Sequence, residues 1–144
     1  MMLSMRPLIV AATLVMSGFA AGMPAHAAPD ASPAIEIWKS PTCGCCQKWA
    51  DYLTENGFDV SAKNTTQGML NRIKAQAGIG PKLSSCHTAR IDGYTIEGHV
   101  PADDIKRLLE ERPDAIGLTV PDMPLGSPGM EHLTARRSPT RFFS

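Results

Sequence analysis

Neither sign of charge dominates this sequence. Fourteen Lys and Arg face 14 Asp and Glu over 144 residues, for a formal net charge of zero. That balance argues against a nucleic-acid groove, because neutralising a row of phosphates requires a cationic surface. No apolar run reaches the ~20 residues that a membrane-spanning helix needs. The longest, Leu8 to Gly22, has 15. There is no internal repeat, and at this length one small domain is expected. A hydrophobic fraction of 43% argues against a wholly disordered chain.

The short apolar run has a lone cation, Arg6, before it and the small residues Ala25-His26-Ala27 after it. This is the layout of a signal peptide, residues 1–27, cleaved after Ala27. Five of the eight Met leave with it, while all four Cys stay. The remainder is expected to be exported, without a membrane span, and large enough to bury one modest core. Export makes disulfides possible. Residues 28–34, which carry Pro29 and Pro33, read as a linker. Residues 35–132 read as the domain. Residues 133–144 (LTARRSPTRFFS), with three Arg and no acid, read as a disordered tail.

Within the domain, IEIWK (35–39) alternates like a strand. Trp49, Ala50 and Leu53 recur at helical spacing from Cys46 to Asn56, with Gly57 at the C-cap position. FDVSAKN (58–64) reads as a second strand. Thr66 suits the N-cap of a helix over 67–77, with Met69, Leu70 and Ile73 inward. A strand over 86–91 and its return over 94–97 flank Asp92-Gly93, a two-residue hairpin signal. Pro101 opens a helix whose buried stripe is Ile105, Leu108 and Leu109. The order β-α-β-α-β-β-α, with cysteines at the first strand–helix turn, is a thioredoxin-like α/β arrangement. A Gly/Pro/Met loop follows it.

The chemistry-bearing residues are concentrated. Cys43-Gly44-Cys45-Cys46 places three thiols at a helix N-terminus, where free N–H groups and the helix dipole favour thiolate. A structural disulfide is the plainer reading of the Cys43/Cys46 pair. It ranks second here, because close neighbours bridge with strain and Cys45 is left without a purpose. Cys86-His87 opens the third strand. The topology puts it beside the cysteine turn, in the place usually held by a proline, so four Cys and one His converge. His99 reads more simply as a helix-start histidine than as a ligand. Met123, Met130 and His132 lie in or next to a Gly/Pro-rich loop that no helix orders. Thiolate, thioether and imidazole together form a ligand set for Cu(I). Trp38 and Trp49 are given packing roles only.

SPTCGCCQKW, SSCHTARIDGYTIEGHVPADDI and GLTVPDMPLGSPGME, in this order, resemble the CopG-type family of exported, thioredoxin-like copper-resistance proteins. The resemblance spans Ile35 to His132. It implies copper binding in the periplasm through Cys43, Cys45, Cys46, Cys86 and His87, with Met123, Met130 and His132 in support. It also implies a place among other copper-handling proteins. The expected cargo is Cu(I), and more than one ion, since four thiolates exceed the needs of a single site. Imidazole also suits Cu(II), so a change of oxidation state at the site stays open. Two alternatives remain. A thiol-disulfide oxidoreductase would use Cys43 and Cys46, although Cys86 facing that pair would trap it as a bridge. A structural zinc site fits poorly, since zinc ribbons pair two C-x-x-C elements and here the second element is Cys-His.

Overall fold

The computed structural model describes residues 32–131 and 140–144. The expected signal peptide, most of the linker, His132 and residues 133–139 lie outside the described residues. Strand β1 (Ala34–Lys39) leads into helix α1 (Gly44–Glu55), followed by β2 (Asp59–Asn64) and helix α2 (Gln67–Gln76). Next come β3 (His87–Ile91), β4 (Tyr94–Glu97), helix α3 (Ala102–Glu111), β5 (Gly117–Thr119) and β6 (Arg141–Phe143). All six strands form one sheet in the order β2-β1-β3-β4-β5-β6. The pairs β1/β2 and β4/β5 are parallel, and the others antiparallel. The first four strands and three helices make the thioredoxin-like arrangement expected from the element order.

Local sequence explains the element ends. The Thr66 side chain accepts from the Met69 N–H at 3.2 Å and caps α2. Asp92 and Gly93 both take positive φ, 46° and 88°, which the tight turn between β3 and β4 demands. Pro101 stands at the N-cap of α3, with Asp103 and Asp104 in the first turn, where the dipole favours acids.

Period-2 alternation separates the two faces of the sheet. Ile35, Ile37, Ala89, Ile91, Ile96 and Leu118 are buried against Trp49, Ala50 and Leu53 of α1 and Ile105 and Leu108 of α3. The opposite face carries Thr88 and Glu97 under α2, where Lys74 reaches both.

Three expectations need correction. Met69 is not inward but 45% exposed; Lys74 is buried in α2 beside Leu70. The reason is the polar floor beneath that helix, which needs an ammonium more than a thioether. Helix α1 begins at Gly44 rather than Cys46, so Cys45 and Cys46 both lie in its first turn. The end of the supposed disordered tail is a strand. Arg141–Phe143 pairs with β5, and Phe143 is buried with Ala77 and Ile79. The run Ile116 to Val120 supplies β5 as the pairing edge, and Ile116 N–H donates to the Phe143 carbonyl at 2.8 Å.

Glu97 and Lys74 are the hub of the polar interior under α2. Glu97 is fully buried and ion-paired with Lys74. Its carboxylate accepts from the Ser85 backbone N–H at 2.6 Å and from the Thr88 hydroxyl at 2.7 Å. Removing one member of a buried pair leaves an uncompensated charge, at a cost of about 3–5 kcal/mol. Glu97→Ala is expected to lower urea-unfolding stability by that amount. Adding Lys74→Met to Glu97→Ala is expected to restore part of the loss, so the double variant's midpoint lies above that of Glu97→Ala.

Candidate metal centre

The donors of the centre are positioned by three parts of the chain: the start of α1, the entry to β3 and the turn after β4. Cys43 is the N-cap of α1, and Cys45 and Cys46 follow in its first turn, where backbone N–H groups lack helical partners. Cys86 sits one residue before β3, and His87 opens that strand. The register between β3 and β4 pairs Thr88 with Glu97, which carries His87 and Cys86 opposite Gly98 and His99. Gly98 has φ of 75°, and a Cβ there would stand 2.4 Å from the Val120 carbonyl oxygen and 2.7 Å from the Ser85 side chain. Only glycine lets the chain turn so close to the Cys86 loop.

Four sulfurs gather as a result. Cys43, Cys45, Cys46 and Cys86 present Sγ atoms that all lie within 4.8 Å of one another. Cys43 and Cys46 are joined as a disulfide, while Cys45 and Cys86 are free thiols. The bond that ranked second on sequence grounds is therefore present, and Cys43 and Cys46 become thiolate donors only after reduction. Cys45 Sγ lies 3.5 Å from Cys43 Sγ, and Cys86 Sγ lies 3.3 Å from Cys46 Sγ.

Two imidazoles complete the centre. Cys86 Sγ is 3.3 Å from His87 Nδ1 and 3.2 Å from His99 Nε2. His99 Nδ1 lies 2.8 Å from the Pro128 carbonyl oxygen, which can only accept. Nδ1 therefore carries the proton, and the Nε2 lone pair faces Cys86. The His87 ring packs at 4.4 Å on Trp49, whose indole N–H is taken by the Val100 carbonyl at 2.9 Å. His87 Nε2 is buried with no hydrogen-bond partner. The nitrogen of His87 that faces Cys86 is Nδ1, so the orphaned Nε2 lies on the other edge of the ring.

The surroundings hold these groups in their neutral forms. Burial, with Cys45 nearby, pushes the Cys86 thiol up to about 12. Burial holds His87 well below its ordinary value, and the charges of His99 and Lys74 act in the same direction. Burial lowers His99 as well, against the Pro128 hydrogen bond and Glu131, which favour its charged form. Neutral imidazole is the form that binds metal.

The Gly/Pro/Met loop lies on the cysteine turn. Gly129, with φ of 82°, packs so closely that a Cβ would stand 2.8 Å from the Cys45 carbonyl oxygen and 2.9 Å from Trp49 N. Gly126 N–H donates to the Met130 carbonyl at 2.9 Å, which closes the loop on itself. Met130 is half-buried there. Met123 is 50% exposed on the rim of a groove that Cys86 also lines. His132 lies outside the described residues.

Of the expected donors, then, Cys43, Cys45, Cys46, Cys86 and His87 come together, and Met123 shares a groove with one of them. His99, read from the sequence as a helix-start residue, belongs with the cluster. Counting the register outward from the Asp92-Gly93 turn places it beside Cys86, and that count was the signal available for it. Among the described residues, no helix is long and apolar enough to cross a membrane.

The chain resembles two solved structures. One, described as "Copper resistance protein copG- Form 1", is 44% identical, over 71% of this chain and 80% of that one, with a TM-score of 0.65. The other, "Copper resistance protein copG- Form 2", is 36% identical, over 78% of this chain and 97% of that one, with a TM-score of 0.66. Residues 83–130 match the family described as "Protein of unknown function, DUF411". That span holds Cys86, His87, His99 and both loop methionines, but not the cysteine turn. No curated protein matches the chain.

The depressed His87 value fixes the sign of a pH effect. Between its folded value and the ordinary value near 6.5, the unfolded chain binds the proton and the folded chain does not. Stability is therefore complete above pH 6.5 and falls as pH drops. From pH 6.5 to 5 the loss attributable to His87 is at most about 2 kcal/mol. Urea unfolding of the metal-free protein at both pH values checks this, and His87→Leu is expected to flatten the pH dependence.

Proposed function

Because the chain belongs to the family of the copper resistance protein CopG, we propose that it is an exported protein that holds Cu(I) in the service of copper resistance. Copper is its cargo. The carrying observation is the convergence of four cysteine sulfurs, one of which, Cys86, is shared with a second group that includes the neutral imidazoles of His87 and His99. Thiolates select soft monovalent copper, and four of them exceed what one linear or trigonal ion uses, so the reduced cluster takes more than one ion. In this reading Cys43, Cys45, Cys46 and Cys86 are the sulfur donors, and His87 and His99 are the nitrogen donors. Met123, Met130 and His132 are outer donors, through which an ion arrives or leaves. The periplasm is the proposed compartment, and other copper-handling proteins there are the proposed exchange partners.

The chemistry of the donor set supports copper over zinc. Zinc at a structural site closes a tetrahedron of four thiolate or imidazole donors and has no use for thioethers. Binding is coupled to two other reactions. Opening Cys43–Cys46 takes two electrons and two protons from a reductant. Loading copper then releases the thiol protons, Cys86 among them. The first turn of α1 supports the anionic cluster with its free N–H groups.

The disulfide favours a second reading, thiol-disulfide oxidoreduction by Cys43 and Cys46. Against it, Cys86 occupies the place where such enzymes hold a substrate peptide, and its sulfur already contacts Cys46.

Anaerobic titration of the reduced protein with Cu(I) is expected to show at least one bound equivalent. The disulfide form is expected to bind less, and Cys43→Ser/Cys86→Ser to lose most of the uptake. X-ray absorption is expected to show sulfur-dominated coordination. Zinc in place of copper in protein isolated from its native compartment would overturn the reading. So would insulin reduction at the rate of a dedicated oxidoreductase.

A further inference from the structure

The buried end of the Cys43–Cys46 bond has a sulfur neighbour that opens to the outside. Cys46 is fully buried, so an external thiol does not reach it directly. Cys86, 3.3 Å from it, is half-buried and lines an open groove of about 600 Å³. That groove runs from Asn71 and Ala75 of α2 past Ile79 and Pro81 to Met123, and Cys43, Cys45 and Cys46 do not line it. We infer that Cys86 is a relay: it passes reducing equivalents from a dithiol in this groove to the buried disulfide, and so opens the four-sulfur centre.

The exchange balances in three steps. In the first, the Cys86 sulfur attacks Cys46 Sγ as His99 Nε2, 3.2 Å away, takes its proton in the same step, so that no free Cys86 thiolate is formed. The Cys46–Cys86 bond forms, the Cys43–Cys46 bond breaks, and Cys43 leaves as a thiolate that takes up the proton. No electrons enter or leave the protein. In the second step a thiolate of the dithiol attacks Cys86 Sγ, and Cys46 leaves as a thiolate at the N-terminus of α1, where the free N–H groups favour it. In the third, the second sulfur of the dithiol displaces Cys86, and the two protons of the dithiol go to Cys86 and Cys46. The dithiol departs as a disulfide, having supplied two electrons and two protons. Since all four sulfurs lie within 4.8 Å of one another, Cys86 approaches off the S–S axis. The first step therefore turns the Cys43 side chain away as its bond breaks. The competing route bypasses Cys86: attack on Cys43, which is also half-buried, by the dithiol itself or by Cys45, whose sulfur lies 3.5 Å from it.

Thiol counting on the metal-free protein during reduction by dithiothreitol separates the two routes. Cys86→Ser is expected to open the disulfide about tenfold more slowly or worse, with Cys45→Ser close to the wild-type rate. Opening of Cys86→Ser at the wild-type rate would overturn the relay. A second variant, Cys43→Ser/Cys45→Ser, isolates the bond that the relay must form. Treated with oxidised glutathione and digested with trypsin, it is expected to give peptide 40–48 linked to peptide 83–90 through Cys46 and Cys86. Glutathione adducts alone would count against the relay. Copper takes no part in either readout, so the relay can fail while the copper reading stands, and the reverse.

Discussion

The centre depends on one buried carboxylate. Glu97 ends β4 on the face of the sheet away from the cysteines, yet it accepts from the backbone N–H of Ser85, the residue before Cys86. On the same carboxylate converge the Lys74 ammonium from α2 and the Thr88 hydroxyl from β3. A loop entering a strand is ordinarily the mobile part of a small domain. Here it is tied from below by Glu97 and from the side by strand extension, with Asp122 N–H donating to the Ser84 carbonyl at 3.0 Å and Thr119 Oγ1 to the Leu83 carbonyl at 2.7 Å. A buried ion pair is weak evidence for stability, because its desolvation offsets most of its attraction. Its effect in this fold is positional. It holds a free thiol at van der Waals distance from a disulfide without a covalent link between the two segments.

Much of this was legible in the sequence, and for identifiable reasons. The strands β1 to β4 and the three helices carry clear periodicity, caps at Thr66 and Pro101, and the Asp92-Gly93 turn. The convergence of Cys86 with the cysteine turn followed from element order alone. Other features were hidden for physical reasons. Met69 reads as an inward residue and Lys74 is not among the inward ones, because the polar floor that reverses them is built from β3 and β4, far along the chain. Arg141–Phe143 has no pattern of its own. It is a strand because β5 offers it an edge and a small apolar patch receives Phe143. His99 follows a glycine and precedes Val-Pro, a context that reads as a helix start. Only the hairpin register shows that it lies beside Cys86.

The disulfide alters how the donor set should be understood. Three cysteines in four residues invite a count of ligands, but two of the three are mutually bonded here, and the centre in this state offers two thiols and two imidazoles. Burial favours the neutral forms of three of them: it raises the Cys86 thiol and lowers both histidines. A neutral pocket is the least costly form of a buried site without a cation. A soft monovalent ion would reverse each preference at once, since every thiolate it gathers is compensated by the ion and by the helix N-terminus behind it. The resting chemistry of the pocket and its proposed loaded chemistry are thus two electrostatic solutions for one set of side chains.

The Gly/Pro/Met loop bears on which of those solutions is reached. Its tightest contact with the centre is backbone on backbone, Gly129 against Cys45 and Trp49, and its Pro128 carbonyl sets the tautomer of His99. Loop position and imidazole orientation are therefore coupled: lifting the loop removes the acceptor that keeps Nε2 unprotonated toward Cys86. That coupling gives the loop a role apart from its thioethers. Methionines on a freely moving segment would capture copper wherever they met it. On the proposed copper reading, a segment whose backbone holds a histidine in its metal-binding form would tie capture by the methionines to the state of the centre. The close glycine contact, which any side chain would disturb, fixes the position of the loop against the cysteine turn.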